Sequence, residues 1–152
     1  MKVLFVCTGN ICRSPTAEGV MRKMITGEGL EVHVESAGTH DYHVGEAPDE
    51  RSQRHAERRG YDLSAQRARQ VSPEDFVRFD LILAMDRGHL RQLERLRPAG
   101  HRAKLRLLLG DRDVPDPYYG GAEGFEEVLD LVEDACRDLI AELRASIRSA
   151  TS

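Results

Sequence analysis

Along the chain, short unbroken apolar runs alternate with longer stretches in which apolar residues recur every three or four positions. Residues 2 to 6 (KVLFV) form such a run, the pattern of a strand covered on both faces. Ala17, Val20, Met21, Met24 and Ile25 then fall on one face of a helix. Ser14 occupies the expected N-cap of that helix and Pro15 its first position, and GEG at 27–29 ends it. Val32 and Val34 alternate with polar residues in a second strand that closes near ESAGTH, residues 35–40. A polar helix is expected over 48–59, stopped by Gly60, and SPED (Ser72 to Asp75) has the spacing of a capping box opening a short helix. DLILAM at 80–85 reads as a third strand, followed by an arginine-rich helix with Leu90, Leu93 and Leu96; KLRLLL at 104–109 is the fourth. A loop rich in Gly, Pro and Asp runs from 110 to about 123. The last helix sets Phe125, Val128, Leu129, Val132, Cys136, Leu139, Ile140, Leu143 and Ile147 at i, i+3, i+4 spacing.

Strands alternating with helices predict βαβ units: an α/β fold of three layers, with a four-stranded parallel sheet and helices on both faces. No linker, repeat or low-complexity segment interrupts the pattern, so residues 1–152 are expected to form a single domain, fraying only at the closing SATS. In such sheets ligands bind outside the carboxyl ends of the strands. That rule gathers positions far apart in sequence onto one rim. The loop from Cys7 to Arg13 follows strand one, Ser36 strand two, Asp86 strand three and Asp116 strand four.

The net charge of −4 argues against nonspecific nucleic-acid binding, which needs a basic footprint. The apolar start is too short to span a membrane and no small-residue cleavage site follows it, so neither a membrane partner nor export is expected. Three cysteines, Cys7, Cys12 and Cys136, are an odd set, which points to reduced thiols in the cytoplasm. Cys136 sits at a core position of the last helix and reads as packing. Cys7 and Cys12 do not have zinc spacing and no second cluster completes four ligands, so no metal or other cofactor is expected.

The stretch FVCTGNICRSP, residues 5–15, carries the candidate chemistry. A short turn between a strand and a helix can aim its amides, and the first amides of the helix, into an anion-binding nest. Gly9 is expected to supply backbone conformations closed to residues with a Cβ. The nucleotide-binding pattern GxxxxGK[ST] is absent. A cysteine at the mouth of such a nest is expected to ionise readily, since comparable thiols fall from about 8.5 to roughly 3.5–7.5. Arg13 can hold two oxygens of a tetrahedral oxyanion at once, and Ser14 can donate its hydroxyl to the sulfur. Nucleophile, anion cradle and arginine clamp together suit covalent phosphoryl transfer.

VCTGNICRSPTAE, residues 6–18, resembles the phosphate loop of the low-molecular-weight protein tyrosine phosphatases. The likeness continues through ESAGTH, ARQVSPEDFVRFDLILAMD (residues 68–86) and DPYYGG (residues 116–121) in the expected order. The resemblance implies that family's Rossmann-like fold (phosphotyrosine phosphatase I-like) and hydrolysis of protein phosphotyrosine and small aryl phosphates through a cysteinyl-phosphate. By it Cys7 is the nucleophile, Arg13 the phosphate clamp and Asp116 the general acid. Thr8, Gly9, Asn10, Ile11, Cys12 and Ser14 bind phosphate and substrate, while Asn10 and Ser36 also brace the loop. Tyr42, Tyr118 and Tyr119 line a slot for a phenyl phosphate. Cys12 is the redox partner, able to close a reversible disulfide with Cys7. Animal members tend to have a histidine in the bracing network just ahead of ARQ, where this chain has Gln66, so that outer hydrogen bond is expected to differ. The implied partners are phosphotyrosine proteins, among them the autophosphorylating tyrosine kinases that bacterial relatives oppose.

Two relatives of the same loop do other work. Thioredoxin-coupled arsenate reductases need two further cysteines after the third strand, and AMDRGHLRQLERL, residues 84–96, has none. Protein-arginine phosphatases usually have threonine just before the second cysteine. Here Ile11, with the twin tyrosines, favours an aryl group.

Overall fold

A computed structural model describes residues 1–151, with side chains through Arg148; the fraying expected of SATS falls on residues 149–152, outside the described side chains. The elements in order are β1 (Lys2–Cys7), α1 (Arg13–Glu28), β2 (His33–Gly38), α2 (Glu50–Arg58), α3 (Asp75–Arg78), β3 (Leu81–Ala84), α4 (Arg87–Leu96), β4 (Lys104–Leu107) and α5 (Ala122–Thr151). The four strands are parallel, in the order β2-β1-β3-β4, with Val3 of β1 opposite Val34 on one side and Leu81 on the other.

The alternation of side chains along β1 divides the core. Val3, Phe5 and Cys7 face α1 and α5, joining Val20, Met21, Leu129 and Val132. Leu4 and Val6 face the other way, toward Phe76, Phe79 and Leu93 from the α3–α4 layer. Each of these large side chains, fully buried, contributes about 1.5–3 kcal/mol relative to exposure. The apolar stripe expected of α5 is buried from Phe125 to Leu143, with Cys136 fully enclosed and its thiol pushed up to about 12, chiefly by burial.

The strand order places the site. From β1 the chain crosses outward to β2, then returns past β1 to β3, so the connections diverge on either side of β1's carboxyl end. That end is the crevice where such sheets take ligands, and Cys7 is its last residue.

Three local expectations need correcting. Helix α1 begins at Arg13 with Cys12 at its N-cap and no side-chain cap, so Ser14 is not the cap residue; its hydroxyl is engaged elsewhere, as described below. Ser36 lies inside β2 rather than after it, paired in register with Phe5. The fourth strand ends at Leu107, because the chain turns at Leu107–Gly110, where the Gly110 amide reaches back to the Leu107 carbonyl.

Candidate active site

The loop from Thr8 to Cys12 takes its shape from ties made by its carbonyls. The Cys7 carbonyl accepts from the Thr39 amide (2.8 Å), that of Thr8 from His40 (3.0 Å), and that of Ile11 from Asp49 (2.8 Å). The Cys12 carbonyl is taken by the Thr16 amide and hydroxyl. No peptide is cis, so the N–H following each of these carbonyls points the opposite way across its C–N bond. The amides of Thr8, Gly9, Cys12 and Arg13 are thereby turned toward the concave side of the loop. Among the described residues, the amides of residues 9 to 13 donate to no protein acceptor. Amides without protein partners, gathered at a helix start, are a receptor for an anion.

Asn10, not Gly9, supplies the left-handed backbone, with φ 59°. Asparagine tolerates this region because its side chain bonds locally. Gly9 is needed for room instead: a Cβ there would sit 2.8 Å from Cδ2 of His43.

Asn10 and Ser14 lie beneath the loop, almost fully buried, rather than on the cleft wall. Asn10 Nδ2 donates to Ser14 Oγ (2.9 Å) and to Ser36 Oγ (2.8 Å), while its Oδ1 accepts from the Arg69 amide (3.0 Å). Because Ser14 Oγ accepts from Asn10, its own proton is free for Cys7 Sγ at 3.0 Å, closer than the alternative Ala37 carbonyl at 3.4 Å. Ser36 passes its proton outward to Glu18 (2.8 Å), and Gln66 Oε1 stands farther off at 3.4 Å. Gln66 instead anchors the first turn of α1 through the Pro15 carbonyl (2.9 Å). Burial pushes the Glu18 carboxyl up, against the opposing pull of Ser36 and Arg22. Glu18 is a residue the sequence reading missed. Its position four residues after Ser14, on the same helix face, was the available clue.

Arg13 is buried, and its guanidinium is fixed on one edge. Nη1 donates to Asp86 Oδ2 (2.9 Å) and to the Val114 carbonyl (3.0 Å). Nη2 is 3.5 Å from His89 Nε2 and 3.7 Å from Asp116 Oδ2. Asp86 also caps α4, accepting from the His89 amide at 2.9 Å. Burial works against its charge, yet that amide, His89 and Arg13 hold the Asp86 carboxyl below its ordinary value.

The fourth rim residue stands apart. Asp116 is about half exposed, and its Oδ1 accepts from the Tyr118 amide (3.0 Å). Arg51 fastens this loop to α2: it donates to the Tyr118 carbonyl (3.0 Å) and lies over the rings of Tyr118 and Phe125. Arg51 is itself held by Asp49, the N-cap of α2, whose amide already binds the Ile11 carbonyl. The acid loop and the β1–α1 loop therefore share one support.

A cleft of about 210 Å³ opens over Cys7. Thr8, Gly9, Ile11, Cys12 and Arg13 form its base. Asp116, Tyr42, Tyr118 and Tyr119 form its walls, together with His43, which sequence reasoning left without a role. Tyr42 stacks on His40 and Tyr118 meets Tyr119 edge-on. The Cys12 thiol is pushed up to about 12, first by burial and then by Asp49, which keeps it a neutral thiol beside Cys7. Among the described residues no cluster of His, Cys, Asp and Glu is arranged to hold a metal, and no helix is long and apolar enough to cross a membrane.

The chain matches the family model of the low molecular weight phosphotyrosine protein phosphatases over residues 2–149. It is 48% identical to a low molecular weight protein-tyrosine-phosphatase of Streptomyces coelicolor, covering 96% of this chain and 95% of that protein. Among solved structures, a protein tyrosine phosphatase of Entamoeba histolytica superposes with a TM-score of 0.91 at 42% identity, over 96% of this chain and 98% of that one. An arginine phosphatase of Drosophila is similar too, with a TM-score of 0.90 at 32% identity, over 94% and 98%. With sequence and fold matched along nearly its whole length, the chain belongs to the low-molecular-weight phosphotyrosine protein phosphatase family.

Proposed function

We propose that this protein, acting as a single domain, hydrolyses phosphotyrosine in proteins and small aryl phosphates through a cysteinyl-phosphate on Cys7. The observation that carries the reading is the meeting of Cys7 and Arg13, at the two ends of one loop, with Asp116 from another, around one cleft with unpartnered amides at its base. In the first step the Cys7 thiolate attacks phosphorus, the P–S bond forms and the P–O bond to the aryl group breaks. Asp116 gives its proton to the departing phenolate. In the second step the Asp116 carboxylate takes a proton from water, which attacks phosphorus as the P–S bond breaks and phosphate leaves. Arg13 and the amides of residues 8 to 13 hold the phosphoryl oxygens through both steps, and the Ser14 hydroxyl stabilises the sulfur as nucleophile and leaving group.

Tyr42, Tyr118 and Tyr119 fit the aryl ring. Ile11 at the base supports an aryl substrate over phosphoarginine, the second reading raised by the similarity to the Drosophila enzyme. Cys12 serves as the redox partner: a peroxide converts Cys7 to the sulfenic acid, Cys12 displaces water to give the disulfide, and a thiol reductant restores both. The odd set of three cysteines, unlike a secreted disulfide framework, supports a reducing compartment such as the cytoplasm. Substrates include phosphotyrosine proteins, with an autophosphorylating tyrosine kinase as a proposed partner.

Hydrolysis of phosphotyrosine and phosphoarginine peptides by wild type and Cys7→Ser, in reductant and without metal, tests this. Release from phosphotyrosine that falls by on the order of 10⁴ or more in the variant is the expected result. Preferential release from phosphoarginine would move the substrate. Turnover surviving Cys7→Ser would end the covalent mechanism.

A further inference from the structure

A buried histidine beside the phosphate loop, His89, is left without a task by this mechanism. It sits in the first turn of α4 and is 4% exposed, an imidazole facing the two groups that shape the phosphate cradle. Its Nε2 lies 2.7 Å from Thr8 Oγ1 and 3.5 Å from Arg13 Nη2. Its Nδ1 is 3.2 Å from Asp86 Oδ1 yet has no aligned hydrogen-bond partner.

These neighbours decide the tautomer. A proton on Nε2 would point at the arginine N–H groups and leave the Nδ1 lone pair facing a carboxylate. A proton on Nδ1 reverses both contacts to attraction, with Nε2 accepting from Thr8 and Arg13. A second proton would bring a cation against Arg13. Burial, with Arg13 adding to it and Asp86 and Asp116 opposing, pushes His89 down to about 4, and His40 also works against its charge.

The geometry points to His89 as a positioning residue for phosphate: a neutral imidazole, protonated on Nδ1, whose Nε2 lone pair orients the Thr8 hydroxyl and the free edge of Arg13. The edge bearing Nη1 is fixed by Asp86 and Val114; among the described residues, that bearing Nη2 has only His89 to hold it away from Asp116. Without that acceptor, Arg13 is drawn toward Asp116, and the clamp and the acid are both compromised. The inference rests on the phosphatase reading above, and the two fail in different places: that reading in the wild-type enzyme, this one in His89 and its variants.

The test combines three variants and one spectrum. His89→Leu removes the acceptor, His89→Gln keeps one, and Thr8→Val removes the hydroxyl. Expected are a tenfold or greater fall in kcat and a similar weakening of competitive inhibition by inorganic phosphate in His89→Leu, the loss of one charge-assisted hydrogen bond. His89→Gln should recover to within about threefold of wild type. Thr8→Val combined with His89→Leu should cost less than the product of the two singles, because they share one contact. Should His89→Leu fold poorly, the wild-type protein still decides. Long-range ¹H–¹⁵N correlation of the histidine rings should show His89 protonated on Nδ1 at pH 7, with its Nε2 shift moved by inorganic phosphate. An Nε2-protonated ring would overturn the inference. So would a folded His89→Leu that loses thermal stability while kcat and phosphate inhibition stay as in wild type.

Discussion

The two loops that meet at the cleft are built in opposite ways. The one between β1 and α1 is half-buried and tightly tied, held by three outside amides on its carbonyls and by Asn10 beneath it. The one carrying Asp116 is open: Tyr119 is 91% exposed, and among the described residues the acid accepts one hydrogen bond, from the amide two residues on, with Arg13 farther off at 3.7 Å. The difference follows the tasks. Binding a dianion benefits from donors that need no reorganisation when charge arrives. A proton donor that must next deprotonate water needs solvent at hand and room to move.

If this division is right, damage to the two loops should look different. The largest effect should come from the open one. Asp116→Asn should lower kcat by about 10³ for aryl phosphates with poor leaving groups and far less for good ones, while thermal stability stays close to wild type. Equal losses across leaving groups would assign Asp116 to binding. Next, Asn10→Ala should cost about 10² in kcat and lower the melting temperature, since it removes the brace and forces an ordinary side chain into the left-handed region. Asn10→Gly should lose as much activity yet melt higher than Asn10→Ala, because it removes the side chain without backbone strain. An Asn10→Ala enzyme that lost stability alone would show that the loop holds its shape without the brace.

A smaller effect concerns pH and the buried imidazole. His89 is pushed down to about 4 in the folded protein from an ordinary 6.5, so between these values the unfolded chain binds the proton and the folded one does not. Its contribution to stability is therefore complete above pH 6.5 and lost as pH falls toward 4. Denaturant unfolding should show wild type losing on the order of 3 kcal/mol more than His89→Gln between pH 7 and pH 4. Parallel curves would mean that His89 titrates normally. The smallest effect is expected at the rim: Tyr119→Ala should raise KM for phosphotyrosine peptides about threefold with kcat unchanged, measured by steady-state kinetics.

The same contrast explains what the sequence made legible. The layers and the rim at the carboxyl ends of the strands were legible in the apolar periodicity; Cys7 and Arg13 stood out in a compact motif and Asp116 through the resemblance, and all three line the one cleft. Local pattern was a weaker guide where a residue's neighbours in space decide its use. Ser14 has the chemistry and position of an N-cap, but Asn10 and Cys7 claim its hydroxyl. Gly9 and Asn10 both tolerate unusual backbone, and the closeness of His43 to Gly9 is a tertiary fact. His89 was invisible as a partner because it meets the loop from a helix 81 residues away along the chain, whereas Glu18, on α1 itself, meets the brace only through Ser36 of β2. The Asn10–Ser36 brace, by contrast, was expected from the resemblance, and its hydrogen bond is present at 2.8 Å.

Gly38 gives one last consequence. A Cβ at this position would lie 2.6 Å from the Thr8 carbonyl oxygen and 3.1 Å from the Gly9 carbonyl carbon, so the end of β2 serves as a mould against which the phosphate loop is cast. Its neighbours Thr39 and His40 grip the carbonyls of Cys7 and Thr8 from the same side. The thirteen residues from Val6 to Glu18 are therefore not a transplantable part. Grafted onto another strand and helix, they would bring every reactive group and leave behind the surface that gives the loop its shape.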